Sequence, residues 1–218
     1  MRNLVILGGD GIGLIAADIA ETIGSHKVIG FLNDTKEVGQ SIGRFKRYPV
    51  LGKTSEVGTF LQDQSVDIYV AMVGMTNEEA VYNKIEQFKI PQDRRPTLIH
   101  PAAYFNSEMT RIGNGTLMAA YSQLSPDVEL KENAILLGNS FVGHNSVVGE
   151  HSHIATNAVV GGYITVGKFC HIGSNCTIRE RVKIGDFVLI GAGSVVISDC
   201  DRASIHAGNP ARFLRASS

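Results

Sequence analysis

The sequence predicts two different folds in one chain: an α/β domain over residues 1–98, then an all-β domain of stacked short strands over residues 99–218. Two observations support this prediction. From Ile112 to Val196 an aliphatic residue stands at every sixth position, fifteen times without an insertion. Before residue 99 that period is absent, and short apolar segments alternate with segments of helical spacing.

The first domain alternates predicted strands and helices, which indicates a small parallel sheet with a ligand crevice at the carboxyl ends of its strands. The predicted strands are residues 4–7, 27–32 and 67–73, and the predicted helices are residues 14–23, 55–62 and 77–88.

A glycine-rich segment, Gly8-Gly-Asp-Gly-Ile-Gly13, joins the first strand to the first helix. Gly9 and Gly11 supply the G-x-G of a dinucleotide-binding turn, but the third glycine, Gly13, comes one residue early. Asp34 follows the second strand, where an acidic side chain can accept hydrogen bonds from a ribose or a base. Both a Rossmann-like nucleotide site and a simple tight turn are compatible with this segment.

The six-residue period of the second domain fits neither an amphipathic helix nor a two-residue strand alternation. It fits short strands joined by tight turns that stack and bury one large and one small side chain per repeat. The large positions are Ile112, Met118, Leu124, Leu130, Leu136, Val142, Val148, Ile154, Val160, Val166, Ile172, Ile178, Ile184, Ile190 and Val196. Cys170, Cys176 and Cys200 fall on the small positions, so we expect them to fill the interior.

Composition narrows the class of protein. The net charge is −1 and no run of Lys or Arg stands out, which argues against nucleic acid and anionic membranes as partners. No apolar run approaches the roughly 20 residues that span a bilayer. The first residues enter a strand directly instead of a signal peptide, so the sequence predicts a cytoplasmic protein. Three cysteines, an odd number, do not indicate a disulfide framework.

Four of the seven histidines lie within the repeats: His144, His151, His153 and His171. A histidine suits a general base, because its reference pKa of about 6.5 lies near working pH. His144 is two residues after the aliphatic Val142, where its side chain should point outward. On its position alone, a surface histidine and a catalytic one are equally good interpretations.

The chain as a whole resembles hexapeptide-repeat acetyltransferases of bacterial nucleotide-amino-sugar pathways and the sialic acid O-acetyltransferase group. The likeness includes Gly30-Phe-Leu-Asn-Asp34, Tyr48-Pro-Val-Leu-Gly52, Leu98-Ile-His-Pro101 and Gly208-Asn-Pro-Ala-Arg212. The resemblance implies a left-handed parallel β-helix of about five 18-residue coils, three hexads to a coil. It also implies acetyl-CoA as co-substrate, no metal, and a homotrimer.

Site residues follow from the same resemblance. His144 corresponds to the catalytic histidine of the relatives, and Asn145 stands where many of them have an acidic residue. Either this amide orients the ring, or a carboxylate elsewhere, such as Glu150, replaces the acidic neighbour. The implied acetyl-CoA residues are His153, Gly162, Ser174 and Ala192. The implied residues for the nucleotide-linked substrate are Asp10, Gly11, Ile12, Asn33, Asp34 and Gly74.

The function that follows is N-acetylation of a nucleotide-linked 4-amino sugar in bacterial glycan biosynthesis, with UDP as the preferred nucleotide. His144 would act as general base, and the amine would attack the thioester directly. O-acetylation of a sialic acid or another sugar hydroxyl is the first alternative. A zinc-dependent hydratase of the carbonic-anhydrase type, with His144, His151 and His153 as ligands, and a non-catalytic scaffold are the others.

Overall fold

The computed structural model describes residues 1–74 and 78–217. The chain divides into two compact units that part after Leu98, and the segment Val73–Tyr82 groups with the second unit. Over the described residues, no helix has the length and apolar character needed to cross a bilayer.

The first unit is built on a five-stranded, mostly parallel sheet, which confirms the predicted α/β Rossmann-like fold. Its strands are β1 (Arg2–Gly8), β2 (His26–Leu32), β3 (Ser41–Ile42), β4 (Tyr48–Gly52) and β5 (Val66–Ala71), and the helices are α1 (Asp10–Thr22), α2 (Val57–Leu61) and α3 (Glu78–Gln87), the last with residues in both units. The strand order is β3-β4-β2-β1-β5, with β3 antiparallel to β4. Leu4 to Leu7 in the interior strand β1 are fully buried, as expected for a strand covered on both faces.

The elements of the first unit differ from the sequence prediction in two places. The short β3–β4 hairpin was not predicted, because β3 has only two residues and β4 contains Pro49. The glycine-rich segment, predicted as a turn, forms the start of α1, which begins at Asp10. Asn77, the first residue of the predicted third helix, lies outside the described residues.

Two of the glycines are required by close contacts. Gly8 has a φ of +118°, and a Cβ there would lie 2.7 Å from Met72 Cγ. A Cβ at Gly13 would lie 2.6 Å from Phe31 Cε1, so this glycine allows α1 to pack closely on β2. The early third glycine therefore has a packing role.

Each of the fifteen hexads in the second unit forms one short strand that ends on its predicted large residue. The strands are β7 (Thr110–Ile112), β8 (Leu117–Met118), β9 (Gln123–Leu124), β10 (Val128–Leu130), β11 (Ile135–Leu136), β12 (Phe141–Val142), β13 (Val147–Val148), β14 (His153–Ile154), β15 (Val159–Val160), β16 (Thr165–Val166), β17 (His171–Ile172), β18 (Thr177–Ile178), β19 (Lys183–Ile184), β20 (Leu189–Ile190) and β21 (Val195–Val196), preceded by β6 (Leu98–Ile99) and followed by β22 (Ser204–Gly208) and β23 (Ala211–Ala216).

Every third strand pairs in parallel with the strand one 18-residue coil away, which gives three faces. Face 1 contains β7, β10, β13, β16 and β19; face 2 contains β8, β11, β14, β17 and β20, extended by β22 and β23; and face 3 contains β9, β12, β15, β18 and β21. The left-handed parallel β-helix implied by the resemblance is confirmed.

The corners between the faces repeat one backbone conformation. Every sixth residue from Gly115 to Gly193 has a positive φ. The histidine corner, between faces 3 and 1, contains Asp127, Asn145, Tyr163 and Arg181; the asparagine corner, between faces 2 and 3, contains Tyr121, Asn139, Asn157, Asn175 and Gly193; and the aromatic corner, between faces 1 and 2, contains Gly115, Asn133, His151, Phe169 and Phe187. Asn, Asp and Gly tolerate this conformation best, which explains their frequency there.

The interior of the β-helix confirms the interpretation of the cysteines. All three are free and buried. Cys170 and Cys176 donate hydrogen bonds through Sγ to the carbonyls of Gly185 and Gly191, each at 3.0 Å. Burial raises the pKa of the Cys170 thiol to about 12 and that of Cys200 to about 11. Such thiols stay protonated and serve packing.

Candidate active site

His144 occupies an exposed position in the histidine corner, two residues beyond the end of β12. A Cβ at the intervening Gly143 would lie 2.6 Å from the Gly161 backbone carbon of the next coil. The glycine therefore allows the coils to stack, and Asn145 then turns the chain with a φ of +58°. The imidazole is left at the surface, as predicted.

The ring of His144 is held by its neighbour. Nδ1 and Asn145 Oδ1 are 2.9 Å apart, and Asn145 Nδ2 donates to Asp127 Oδ2 at 3.5 Å. Glu150 instead accepts a hydrogen bond from the Tyr82 hydroxyl at 2.7 Å. Of the two alternatives left by the sequence, the amide is thus the group at the ring.

Residues of the next coil lie beside the His144 imidazole. A Cβ at Gly162 would lie 3.0 Å from His144 Nε2, so the glycine leaves the space beside that nitrogen open. The His144 and Tyr163 rings meet in a T-shaped arrangement at a centroid separation of 5.0 Å, and the Arg181 guanidinium lies 4.5 Å from the Tyr163 centroid. The histidine corner therefore places an aromatic ring next to the imidazole and a cation against that aromatic ring.

His153 lies on face 2, stacked one coil from His171 with ring centroids 4.7 Å apart. It is 7% exposed, and neither ring nitrogen has a hydrogen-bond partner within the described part of the chain. Burial, with a smaller contribution from His171, lowers the pKa of His153 to about 3; burial also lowers the pKa of His171. His153 is consequently neutral at physiological pH and carries one unused N–H donor.

The other residues predicted to contact acetyl-CoA lie on two different corners. Gly162 lies beside His144, whereas Ser174 and Ala192 lie one coil apart at the asparagine corner, where Gly193 N donates to the Ser174 carbonyl at 2.8 Å. Ser174 is partly exposed and Ala192 is exposed. One chain therefore does not gather these residues into a single cluster.

In the first unit, the predicted substrate residues Asp10, Gly11 and Ile12 form the first turn of α1. The first backbone bond of this helix runs from Gly13 N to Gly9 O, so the three preceding N–H groups have no acceptor within the helix. The Asp10 carboxylate is half exposed and lies 3.7 Å from Lys36 Nζ. The space around Gly11 is open, whereas the Ile12 side chain is buried.

Asn33 has a side chain whose amide nitrogen and oxygen both form hydrogen bonds inside the unit. Its Nδ2 donates to the Gly8 carbonyl at 3.0 Å. Its Oδ1 accepts from the backbone N–H groups of Thr35 and Lys36 and from the Thr35 hydroxyl. The side chain therefore holds the loop after β2 against the end of β1.

Asp34 is partly exposed and has two partners that are distant in sequence. Its carboxylate accepts from the Thr54 backbone N–H at 2.9 Å, from the Thr54 hydroxyl, and from Lys84 Nζ at 2.7 Å. Burial by itself would raise the pKa of Asp34, but these hydrogen bonds outweigh it and leave the pKa below its ordinary value. With three donors on a carboxylate, room for one further donor remains.

The remaining predicted residues are dispersed. Gly74 is buried and groups with the second unit. His151, the third histidine of the zinc alternative, is buried at the aromatic corner beside Asn133. Among the described residues, no group of three or more His, Cys, Asp or Glu side chains is arranged to hold a metal ion.

The sequence interpretation missed Asp127, Thr54 and Lys84. Asp127 precedes Asn145 by one 18-residue coil, so the repeat itself would have identified it. Thr54 and Lys84 lie 20 and 50 residues from Asp34. No local pattern in the sequence connects such distant positions.

Two family models match the chain. The PglD N-terminal domain matches residues 3–85, and the bacterial transferase hexapeptide, of six repeats, matches residues 163–198. These matches confirm the resemblance inferred from the sequence.

Solved structures are similar over nearly the whole chain. The acetyltransferase domain of PglB from Neisseria gonorrhoeae FA1090 has a TM-score of 0.83 at 28% identity, covering 98% of this chain and 100% of its own. A perosamine N-acetyltransferase mutant from Caulobacter crescentus, in complex with CoA and GDP-perosamine, has a TM-score of 0.82 at 20% identity, covering 98% and 97%. The second likeness shows the fold alone. A structure of the PglB domain in complex with acetyl coenzyme A has a TM-score of 0.66 at 24% identity, covering 98% and 99%, and this likeness also shows the fold alone.

Proposed function

We propose that this hexapeptide-repeat acetyltransferase transfers the acetyl group of acetyl-CoA to the amine of a nucleotide-linked 4-amino sugar in bacterial glycan biosynthesis. The observation that carries the proposal is the arrangement around His144: an exposed imidazole, held at Nδ1 by Asn145, with open space at Nε2 beside Gly162. A base for an amine nucleophile requires these features, namely a fixed ring and an accessible lone pair.

The proposed reaction balances with one proton carrier. His144 Nε2 accepts a proton from the amine as the amine nitrogen forms a bond to the thioester carbonyl carbon. When the carbon–sulfur bond breaks, the imidazolium returns that proton to the departing thiolate. The products are an N-acetylated sugar and free CoA thiol, and no covalent bond to the protein forms.

His153 lies on face 2, which does not adjoin the histidine corner of the same chain. We therefore propose that His153 of a neighbouring copy donates its unused N–H to the thioester carbonyl oxygen, where negative charge develops. Its support is the buried, unpartnered imidazole, which is neutral because burial lowers its pKa to about 3. A buried polar group without a partner costs free energy of folding, so a bound ligand that accepts the hydrogen bond accounts for its presence.

We propose a homotrimer in which acetyl-CoA lies between neighbouring copies. Gly162, at the histidine corner of one copy, and Ser174 and Ala192, at the asparagine corner of the next, would form the two walls of the groove. The support is their separation within one chain and the exposure of Ala192.

The N-terminal unit is proposed to bind the nucleotide. The free N–H groups at the start of α1 suit a diphosphate, because they carry the positive end of the helix dipole. Asp34 keeps one acceptor site for the base or ribose, Asn33 holds the loop that carries it, and Gly74 is proposed to line the pocket. We expect UDP as the nucleotide; the perosamine N-acetyltransferase, by contrast, was solved with GDP-perosamine.

The test is a panel of UDP- and GDP-linked 4-amino sugars, assayed with acetyl-CoA by following thiol release. The same sugars with a hydroxyl in place of the amine, together with free sialic acid, form the O-acetylation arm. We expect turnover with an amino sugar and none in the O-acetylation arm. Turnover confined to the hydroxyl substrates would replace the proposal by O-acetylation.

A further inference from the structure

At the histidine corner, hydrogen bonds connect three polar side chains. They run from the His144 imidazole through the Asn145 amide to the Asp127 carboxylate, one coil away. We propose that Asp127 is a positioning residue for His144 and acts through the amide of Asn145. This inference rests on the proposed function, since it takes His144 as the general base.

The donor and acceptor properties of the neighbouring groups determine how the Asn145 amide is oriented. An asparagine amide can present either its oxygen or its NH₂ group to a neighbour. The Asp127 carboxylate can only accept hydrogen bonds, so the Asn145 amide must turn its NH₂ group, Nδ2, toward it; the two atoms are 3.5 Å apart. The amide oxygen is then turned to the imidazole, 2.9 Å from Nδ1.

This orientation fixes the tautomer of the ring. The Asn145 oxygen cannot donate a hydrogen bond, so the proton of neutral His144 must lie on Nδ1. The lone pair is left on Nε2, the nitrogen next to the open space at Gly162. Without Asp127 the amide is free to rotate and to donate to Nδ1, which would move the proton to Nε2 and abolish the base.

Backbone geometry keeps the two residues in register. Asp127 and Asn145 occupy equivalent corner positions in successive coils, each with a φ of +58°. Asp127 is also tied to the preceding segment by a 2.7 Å hydrogen bond from its backbone N–H to the Met109 carbonyl. Since Asp and Asn both tolerate a positive φ, each can be exchanged for the other with the corner preserved.

A carboxylate also links successive coils at the aromatic corner, away from His144 and from the proposed groove. There Asp186 Oδ1 accepts a hydrogen bond from the Lys168 backbone N–H at 3.0 Å. Asp186→Asn is therefore a matched control: it makes the same change from carboxylate to amide, and the amide oxygen can still accept that hydrogen bond.

A double-mutant cycle tests the inference. Asp127→Asn in the natural chain should lower kcat about 10- to 100-fold, because the Asn145 amide loses the acceptor that fixes its orientation; removing the outer hydrogen-bond partner of a metal-binding histidine has an effect of this size. KM for both substrates should not change. Asn145→Asp places a carboxylate next to the ring, and a carboxylate accepts from Nδ1 in either orientation. In the Asn145→Asp background, Asp127→Asn should therefore leave kcat unchanged. Asp186→Asn should leave kcat at the natural value.

Two results would overturn the inference. One is an unchanged kcat for Asp127→Asn while His144→Ala abolishes turnover. The other is an equal loss from Asp127→Asn in both backgrounds, which would mean that Asp127 does not act through the amide. If His144→Ala itself retains full turnover, the proposed general base fails, and that outcome is distinct from the first two.

Discussion

His144 Nε2 lies 3.0 Å from the point that a Cβ atom would occupy at Gly162, one coil along the histidine corner. The nitrogen proposed to accept the proton thus faces a position that only glycine leaves open. The side chain of any other residue would compete with the substrate amine for this space.

Gly162→Ala should lower kcat by about 10-fold, because the added methyl group displaces the imidazole by a few tenths of an ångström, and a 1 Å error in a reacting group costs roughly 100-fold. Steady-state kinetics with the best amino-sugar substrate measure the effect. Thermal unfolding of the same variant is the control, because it reports on coil stacking independently of the proposed groove. A loss of kcat accompanied by a lowered melting temperature would indicate a general effect on coil stacking.

Burial of His153 predicts a loss of stability on acidification. Its pKa of about 3 in the folded chain lies below the unfolded value near 6.5, so the unfolded state binds the extra proton between these values. The free energy of unfolding should therefore fall by about 2 kcal/mol from this residue between pH 7 and pH 5. Urea unfolding at both pH values, compared with His153→Leu, isolates that contribution. An identical pH dependence in the two proteins would contradict the burial argument.

Asp34→Asn should raise KM for the nucleotide sugar about 10- to 100-fold and leave KM for acetyl-CoA unchanged, because a charge-assisted hydrogen bond to the nucleotide is lost. Asp18→Asn, an exposed substitution on α1, provides the control. Thermal unfolding of both variants separates binding from folding, since Asp34 also bonds Thr54 and Lys84. An unchanged KM would limit Asp34 to its structural contacts.

The proposed position of acetyl-CoA between two copies predicts a homotrimer. Light scattering should give three times the chain mass of 23.4 kDa. Active protein that remains monomeric across the assay concentrations would contradict the shared groove.

The parts of this structure that could be predicted from the sequence are the periodic ones. The six-residue pattern specified all fifteen strands and the large buried residue of each, because every repeat presents the same kind of side chain to the same interior. Hydrogen bonds that join distant segments have no such signature. The pairing of Asp34 with Lys84 and the hydrogen bonds of the Asn33 side chain became visible only in the folded chain.

The central claim is that His144 is the general base, and His144→Ala tests it most directly. The variant should lose about 10²–10⁴-fold in kcat at neutral pH while still binding both substrates, and the loss should shrink at higher pH, where the amine is already free. His26→Ala is the control. His26 begins β2 and so lies at the end of the parallel strands opposite to Asn33 and Asp34, and the variant should retain natural turnover. Near-normal kcat for His144→Ala at neutral pH would contradict the account.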